Sequence, residues 1–498
     1  MPDDIFGHAL PKEQLPNRKR QLKHEDQRTL DDRVTDCLNF PVVYELAELL
    51  PTPNPSARNT DYPLLVYLLL ATLTAVKGSK RSTLGLLSPK QWGALRGAVR
   101  RHAGRRAVAQ IPDVPPTYDQ YDYAESTYLA PHADLLQEAF EHHALRQALN
   151  QDLFPADTRR IWHHPQRRQL LVGDGTIPKA PSKSEAAFRV NTATGEITRT
   201  RFDPAAHLYY QNGEDKKTPV RGTKWFFASA RDDGYFKRVI LAYRHVPGTG
   251  YDDEAHIAVR TIQGLVPHLP GCMGVVYDGA FRGVHRDALA RRGLLVINKQ
   301  HDSLVARHYQ LLRPGRCRHD LWTDQGRIAE RLLLDDGTTF LTPVPVLRLE
   351  RRPGKSRCRW YHLLAIPCRH GTHEHRIPVG ITTTPDDHRL HTPDGKRLPS
   401  DTERDFHRAE HLQQIPEITA AHQNVYSYRS DAESVNSQLD ASFWNGRMIS
   451  YGLDRQKIYI LGFALSQNAT SHQIHRESTP LNVRTGEAKW TCTPSRSS

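Results

Sequence analysis

The chain has 498 residues, 38 % of them hydrophobic and 25 % charged, with a formal net charge of +13. Its length exceeds one ordinary compact domain and calls for roughly two to four, and the apolar fraction is too high for a disordered chain. The basic balance favours an anionic partner, of which a nucleic acid backbone is the commonest, while six irregularly spaced cysteines argue against a disulfide framework and for a reducing compartment.

Residues 1–60 are polar and charged and read as a loosely ordered basic arm and linker, leaving through the proline-rich Pro51-Thr-Pro-Asn-Pro55. They carry no basic segment followed by an apolar core, so no secretory signal is read. From residue 61 to about 156 the pattern is helical. Its apolar stretch Tyr62–Val76 falls short of the ~20 residues of a membrane span, which predicts a buried helix in a soluble, cytoplasmic protein with no membrane partner. Ser88-Pro89-Lys90-Gln91 is a helix start, with serine as N-cap and proline at the first position. The helix it opens turns Trp92, Leu95 and Val99 to a core and leaves Arg96, Arg100 and Arg101 elsewhere on its surface. Such a module suits DNA binding; a solvated basic face on a structural helix explains the same residues.

The period then changes. Gln169–Thr176 is a short apolar run ending in Gly-Asp-Gly, a buried strand and turn. After a polar excursion through Arg221, Lys224–Arg231 and Phe236–Val246 read as strands joined at Asp232-Asp233-Gly234. Asp252–Leu269 is predicted helical, Cys272–Phe281 a buried strand, Arg282–Gly293 a helix and Leu294–Asn298 one more strand. This order gives an α/β mixed sheet with flanking helices. Residues 300–415, with β-like runs at Phe340–Leu349, Trp360–Pro367 and Arg376–Thr383, read as a β-rich insertion. Helical pattern resumes at about Asp401 and runs through Asn424–Met448 and Arg455–His475, and 476–498 reads as a disordered tail.

Two aspartates, Asp174 and Asp278, end buried strands, where the carboxyl ends of an open α/β sheet face a crevice. Asp-Gly is also a common way to leave a strand, but a matched pair is harder to dismiss, since a carboxylate there is costly to bury without a cation. On Asn424–Trp444, at ~100° per residue, Tyr426, Arg429, Glu433, Asn436 and Asp440 share about a quarter turn. Ala432, Val435, Leu439 and Phe443 form the neighbouring buried stripe. The plain alternative is an exposed helix with an Arg429–Glu433 pair.

Tyr426-x2-Arg429-x3-Glu433 resembles the Tyr-x2-Arg-x3-Glu-x6-Lys signature of bacterial insertion-sequence transposases with a DDE catalytic domain. Gly173-Asp174-Gly175 and Tyr277-Asp278-Gly279-Ala280-Phe281 resemble that family's first and second aspartate strands. The resemblance covers roughly residues 165–475. It implies a ribonuclease H-like catalytic domain (165–299 plus 416–475) interrupted by the β-rich insertion 300–415 and preceded by the helical, DNA-binding domain 61–156. It further implies Asp174, Asp278 and Glu433 as catalytic ligands of two divalent ions, Mg²⁺ or Mn²⁺, for hard cations suit carboxylate oxygens. Tyr426 and Arg429 are then DNA contacts. The partners implied are double-stranded DNA, as transposon ends and target, and a second copy of the chain in a synaptic homodimer at the bacterial nucleoid. The family's lysine is Asp440 here, which would repel phosphate; Arg447 or Lys457 are candidates for its role.

Two other outcomes fit the same residues, a catalytically inactive DNA-binding derivative and a metal-dependent nuclease without strand transfer. Cys368-x-His370-x2-His373-x-His375, with Cys317-x-His319 and Cys358 earlier, offers zinc-ligand types, but the spacing matches no standard finger and a solvated basic loop is the preferred reading. Phosphate-loop, nucleophile-elbow and dinucleotide fingerprints are absent from the sequence.

Overall fold

The computed structural model describes residues 3–7, 28–52, 61–85, 87–156, 160–209, 219–234, 236–247, 253–301, 303–379, 407–417 and 419–479. Its first helices correct the reading of 1–60 as a loose arm: α1 (Leu30–Leu38) and α2 (Pro41–Ala47) bury Cys37, Val43 and Leu46. Thr29 starts α1 through a reciprocal capping box with Asp32. Most of the remaining arm, 8–27 and 53–60, lies outside the described residues.

The helical segment follows as α3 (Leu64–Lys77), α4 (Lys80–Gly85), α5 (Pro89–His102), α6 (Gly104–Ala109), α7 (Tyr118–Ala124) and α8 (Ala133–Asn150). In α3, Leu64 and every residue from Val66 to Val76 are buried, as its unbroken apolar run requires, and the helix ends at Gly78 in a left-handed conformation (φ 88°) that favours glycine. Ser88 caps α5 by accepting from the Gln91 N–H at 3.3 Å, and Trp92, Leu95 and Val99 point inward.

A five-stranded sheet follows: β1 (Leu170–Thr176), β2 (Lys224–Arg231), β3 (Arg238–Val246), β4 (Gly274–Val276) and β5 (Leu295–Ile297), in the order β3-β2-β1-β4-β5. β1 pairs antiparallel with β2 and parallel with β4, and β5 continues parallel to β4. The crossovers from β3 to β4 and from β4 to β5 carry α9 (Glu254–Leu265) and α10 (Gly283–Arg291). β4 is shorter than the predicted Cys272–Phe281, because the chain leaves the ladder just before Asp278. The polar excursion between β1 and β2 holds two short ribbons, Phe188–Val190 with Ile197–Arg199 and His207–Tyr209 with Val220–Gly222.

Residues 307–379 form two antiparallel meanders. The first is β6 (Arg307–Leu312), β7 (His319–Asp324), β8 (Arg327–Leu333) and β9 (Thr339–Pro343); the second is β10 (Val346–Pro353), β11 (Cys358–Cys368) and β12 (Gly371–Val379). The predicted run Phe340–Leu349 therefore spans two strands, broken around Pro345, which has no N–H for a ladder. Residues 380–406, including the end of the run to Thr383 and the start expected at Asp401, lie outside the described residues.

The rest is helical: α11 (Arg408–His411), α12 (Ala420–Tyr426), α13 (Ser430–Ser442) and α14 (Leu453–Ser478). The expected continuous Asn424–Met448 helix is instead two, joined by a tighter turn at Ser427–Arg429; the second stops at Ser442, where Phe443 is extended, and Asn445 at φ 56° lies in the short turn that follows. Residues 476–478 complete α14 rather than open a tail, and Glu477 pairs with Arg28 at 2.6 Å; 480–498 lie outside the described residues.

Side chains alternate across the sheet as strand geometry demands. Leu171, Val275 and Val296 face a core shared with α3, α8 and α14. Leu170, Val172, Val276, Leu295 and Ile297 face a second core built with Trp360, Leu364 and Ile366 of the meanders. The sheet is thus a layer between helices and the β-rich segment, and 61–156 shares its interior with the sheet. Phe6, 1 % exposed, belongs to the second core, where the Ile5 N–H donates to the Val346 carbonyl and the Ala421 N–H to that of Phe6.

Candidate functional site

The register of the sheet brings the two aspartates together. Val172 of β1 lies opposite Val276 of β4, and Asp174 and Asp278 each stand two residues further on. Asp174, near the end of β1, and Asp278, just past the end of β4, therefore stand at one level on adjacent parallel strands. β1 is held open to this by its own sequence: a Cβ at Gly173 would meet the Phe226 and Tyr277 rings, and one at Gly175 would meet the Glu254 carboxylate.

α13 brings the third group across the strand ends. Arg429, just before α13, donates to Glu433 and reaches Asp174 Oδ2 at 3.4 Å. Asn436, one turn further, donates from Nδ2 to Asp174 Oδ2 at 3.0 Å and to the Gly175 carbonyl at 3.3 Å. The guanidinium thus spans Asp174 and Glu433, while the Glu433 side chain remains 60 % exposed. The expected buried stripe of Ala432, Val435, Leu439 and Phe443 is in place.

Electrostatics mark the pair of aspartates. Burial pushes the Asp174 carboxyl up to about 7; Arg429 pulls it down, and Asp278 and Glu254 push it up again. Burial also raises Asp278, against the Ala280 N–H that donates to it at 2.9 Å, with Glu254 adding to the rise and Arg429 and Lys224 opposing it. Buried carboxylates that disfavour one another's charge form a site of unmet negative potential, which a cation relieves.

Sequence reasoning missed several residues here. Glu254, in the first turn of α9, accepts from the Tyr277 hydroxyl at 2.5 Å and pairs with Lys224 at 2.8 Å, a fourth carboxylate beside β1. Asp431, 1 % exposed, receives Arg167 at 2.6 Å and Arg231 at 2.7 Å, fastening α13 to the start of β1 and the end of β2. Arg238 adds hydrogen bonds to Gln438 and Ser434 at 3.1 and 3.0 Å. The alternation of Asp431 with Glu433 along one helix was the available signal, since neighbouring acids on different faces have different partners.

Tyr426 lies at the other rim, stacked on His422 with ring centroids 5.4 Å apart and with Lys299 over its ring at 5.8 Å; burial pushes its hydroxyl up to about 12. Asp440, where the signature that the sequence resembles has a lysine, is raised by burial and lowered by Lys179, so a basic group does stand near that point. Of the suggested substitutes, Arg447 donates to the Ala180 carbonyl and Lys457 pairs with Asp134, each committed to structure.

Asp174, Asp278 and Glu433 offer hard oxygen donors, which fit Mg²⁺ or Mn²⁺. Their oxygens are not already gathered about one point: among the described residues the ligand-type groups drawn within 4.8 Å of one another are Asp253, His256 and His285, and Cys317, His319, Cys368 and His373. In the first of these Asp253 is occupied as the N-cap of α9. Arg429 takes up the space between Asp174 and Glu433, so a cation could sit between those carboxylates only with that guanidinium moved aside. Compared with known protein families, with curated proteins and with solved structures, the chain matches none.

Proposed function

We propose that this chain is a metal-dependent DNA strand-cutting and strand-transferring enzyme, a transposase whose catalytic carboxylates are Asp174, Asp278 and Glu433. The observation that carries the reading is the paired placement of Asp174 and Asp278 at the ends of neighbouring parallel strands, with α13 laying Arg429 and Glu433 over them. The strand order β3-β2-β1-β4-β5, with β2 alone antiparallel to both neighbours, supports a ribonuclease H-like sheet. Asp174, Asp278 and Glu433 would hold two divalent ions, which when bound supply an activated water and stabilise the leaving oxygen.

The remaining roles belong to the chain itself. Arg429, once displaced from the carboxylates, is placed to hold a scissile phosphate, and Asn436 keeps the Asp174 carboxylate oriented. Tyr426 and Lys299 form a stacking and charged edge suited to a displaced base or a phosphate. Glu254, tied to Lys224 and Tyr277, keeps negative charge beside β1. Exposed Arg100, Arg101, Arg105 and Arg106 on α5 and α6 give the helical segment a basic surface for phosphate contacts. DNA ends and target are the partners, and synapsis of two ends calls for a homodimer.

One observation favours a second reading, a DNA-binding derivative without cleavage: Arg429 already neutralises Asp174 and Glu433 internally. The deciding experiment is Mg²⁺- or Mn²⁺-dependent cleavage of DNA carrying the gene's flanking ends, by the intact protein and by Glu433→Ala. Cutting that the substitution abolishes in a folded protein supports the transposase. Undiminished cutting by Glu433→Ala places the active site elsewhere, and end binding without cutting by either protein selects the second reading. Cleavage without joining to a target selects a nuclease.

A further inference from the structure

Away from the sheet crevice, the two meanders meet at a cluster of thiols and imidazoles. Cys317 precedes β7, His319 opens it, Cys368 ends β11 and His373 lies on β12, across the tight Cys368-Arg369-His370-Gly371 turn. One ligand atom from each of the four lies within 4.8 Å of the others. The Cys317 and Cys368 sulfurs stand 3.4 Å apart as free thiols. Two thiolates on one tetrahedral zinc, with Zn–S of about 2.3 Å, lie about 3.8 Å apart, so little movement is needed.

The histidines supply an independent observation. His319 is 3 % exposed, and its Nδ1 meets Glu330 Oε1 at 2.7 Å, while its buried Nε2 has no hydrogen-bond partner. A buried imidazole nitrogen left bare is costly, and a carboxylate on the opposite nitrogen is how metal-bound histidines are oriented. His373 Nε2 is likewise buried without a partner, and its ring packs 5.2 Å from that of His319. Two imidazoles, each with an unpartnered buried ring nitrogen, and two thiols thus come together between the sheets.

We propose that Cys317, His319, Cys368 and His373 form a structural zinc site that clamps the β6–β9 meander to the β10–β12 meander. Two sulfurs and two imidazoles select Zn²⁺ over Mg²⁺ or Mn²⁺, so this site is distinct in chemistry from the carboxylate crevice and stands whether or not the chain cuts DNA. On binding, both thiols release their protons to solvent. His370, whose Nδ1 is 3.1 Å from the Cys317 sulfur but which is exposed, is an outer neighbour rather than a ligand. The sequence shows these ligand types but not that they meet, because the site's halves, Cys-x-His and Cys-x4-His, are separated by the whole of β8 to β10.

The test is zinc content of the full chain purified under reducing conditions without chelator, together with the absorption spectrum after replacement by Co²⁺. The expected result is one zinc per chain and a cobalt spectrum with thiolate charge-transfer and tetrahedral bands. Zinc should fall to near zero in Cys317→Ser/Cys368→Ser and in His373→Ala, and stay at one in His370→Ala and Asp174→Asn. If the double variant fails to fold, the cobalt spectrum of the intact chain decides. A chain that takes up no zinc when supplied with it, a Cys317–Cys368 disulfide in the reduced preparation, or loss of zinc in His370→Ala overturns the assignment.

Discussion

Arg429 holds two acids that a divalent ion would have to claim, so side chain and ion compete for one place. Arg429→Ala should tighten Mn²⁺ binding, read by calorimetry, by roughly tenfold or more for a competing interaction of ~1.4 kcal/mol, while weakening capture of DNA ends. Unchanged Mn²⁺ affinity would mean that the guanidinium does not guard the site. Asp174 gives a second expectation. Its folded carboxyl titrates at about 7 against 3.8 for the ordinary group, so the folded state holds a proton that the unfolded chain has released between those values. In that window this group makes stability fall as pH rises. Without divalent ions, Asp174→Asn should therefore gain stability over the parent at pH 8, on the order of 2 kcal/mol, and lose that advantage at pH 4; urea midpoints at the two pH values measure it. At this scale Asp174, Asp278, Arg429 and Glu433 are legible in sequence because strand ends and helical spacing fix where they point. Glu254 is not, because its approach to Gly175 is made by the packing of α9 on β1 and leaves no periodic trace.

Among the elements, α13 shows how a helix bearing exposed chemistry is kept still. Asp431 is fully enclosed between Arg167 and Arg231, and removing it takes the one buried carboxylate that both guanidinium groups share. Asp431→Ala should cost ~3–5 kcal/mol in chemical denaturation; a loss below ~1 kcal/mol would show that water reaches those arginines instead. The α3–α14 crossing depends on a small residue, since a Cβ at Gly462 would lie 2.7 Å from the Ala71 carbonyl oxygen. Gly462→Val should destabilise by ~1–3 kcal/mol, visible as a lowered thermal midpoint. Strands β1, β2 and β3 emerge nearly as their apolar runs predict, since buried strands are nearly continuous in hydrophobicity. The break between α12 and α13 is not legible: Tyr426 to Ser430 carries no proline or glycine, and the tightened turn there reflects how both helices seat on the sheet and meanders. The helices of 30–47 are hidden for a different reason, as their apolar residues sit mostly in 37–47, behind a strongly charged stretch, and acquire a core only from distant segments.

Over the whole molecule, the interior on the helical side is continuous from α1 and α3 through the sheet to α14. The helical segment and the sheet should accordingly unfold in one transition, with calorimetric and van't Hoff enthalpies in agreement; two resolved transitions would refute that continuity. Acid should act on the whole as well. Burial lowers His245, His362, His422 and His472 to about 4, so each is neutral when folded and takes up a proton when unfolded below 6.5. Their contribution is complete above pH 6.5 and lost as pH falls through 4. Four such groups outweigh the opposite tendency of Asp174, so net stability should drop from pH 6.5 to pH 4 in denaturant titrations.

The seating of Asp4–Gly7 also sets a timetable. Asp4 pairs with Arg327 at 2.5 Å, 323 residues later in the chain, while Ile5 waits further, for Val346, and Phe6 for Ala421. At ~5–20 residues per second, the ribosome needs roughly 20–60 s to make the first of those partners. For that interval Phe6 is an apolar side chain with nowhere to go, available to whatever meets nascent chains. The Asp4–Gly7 segment is thus housed only after residues more than three hundred positions later have been made, and this part of the β-rich face closes by bringing two distant stretches of the chain together.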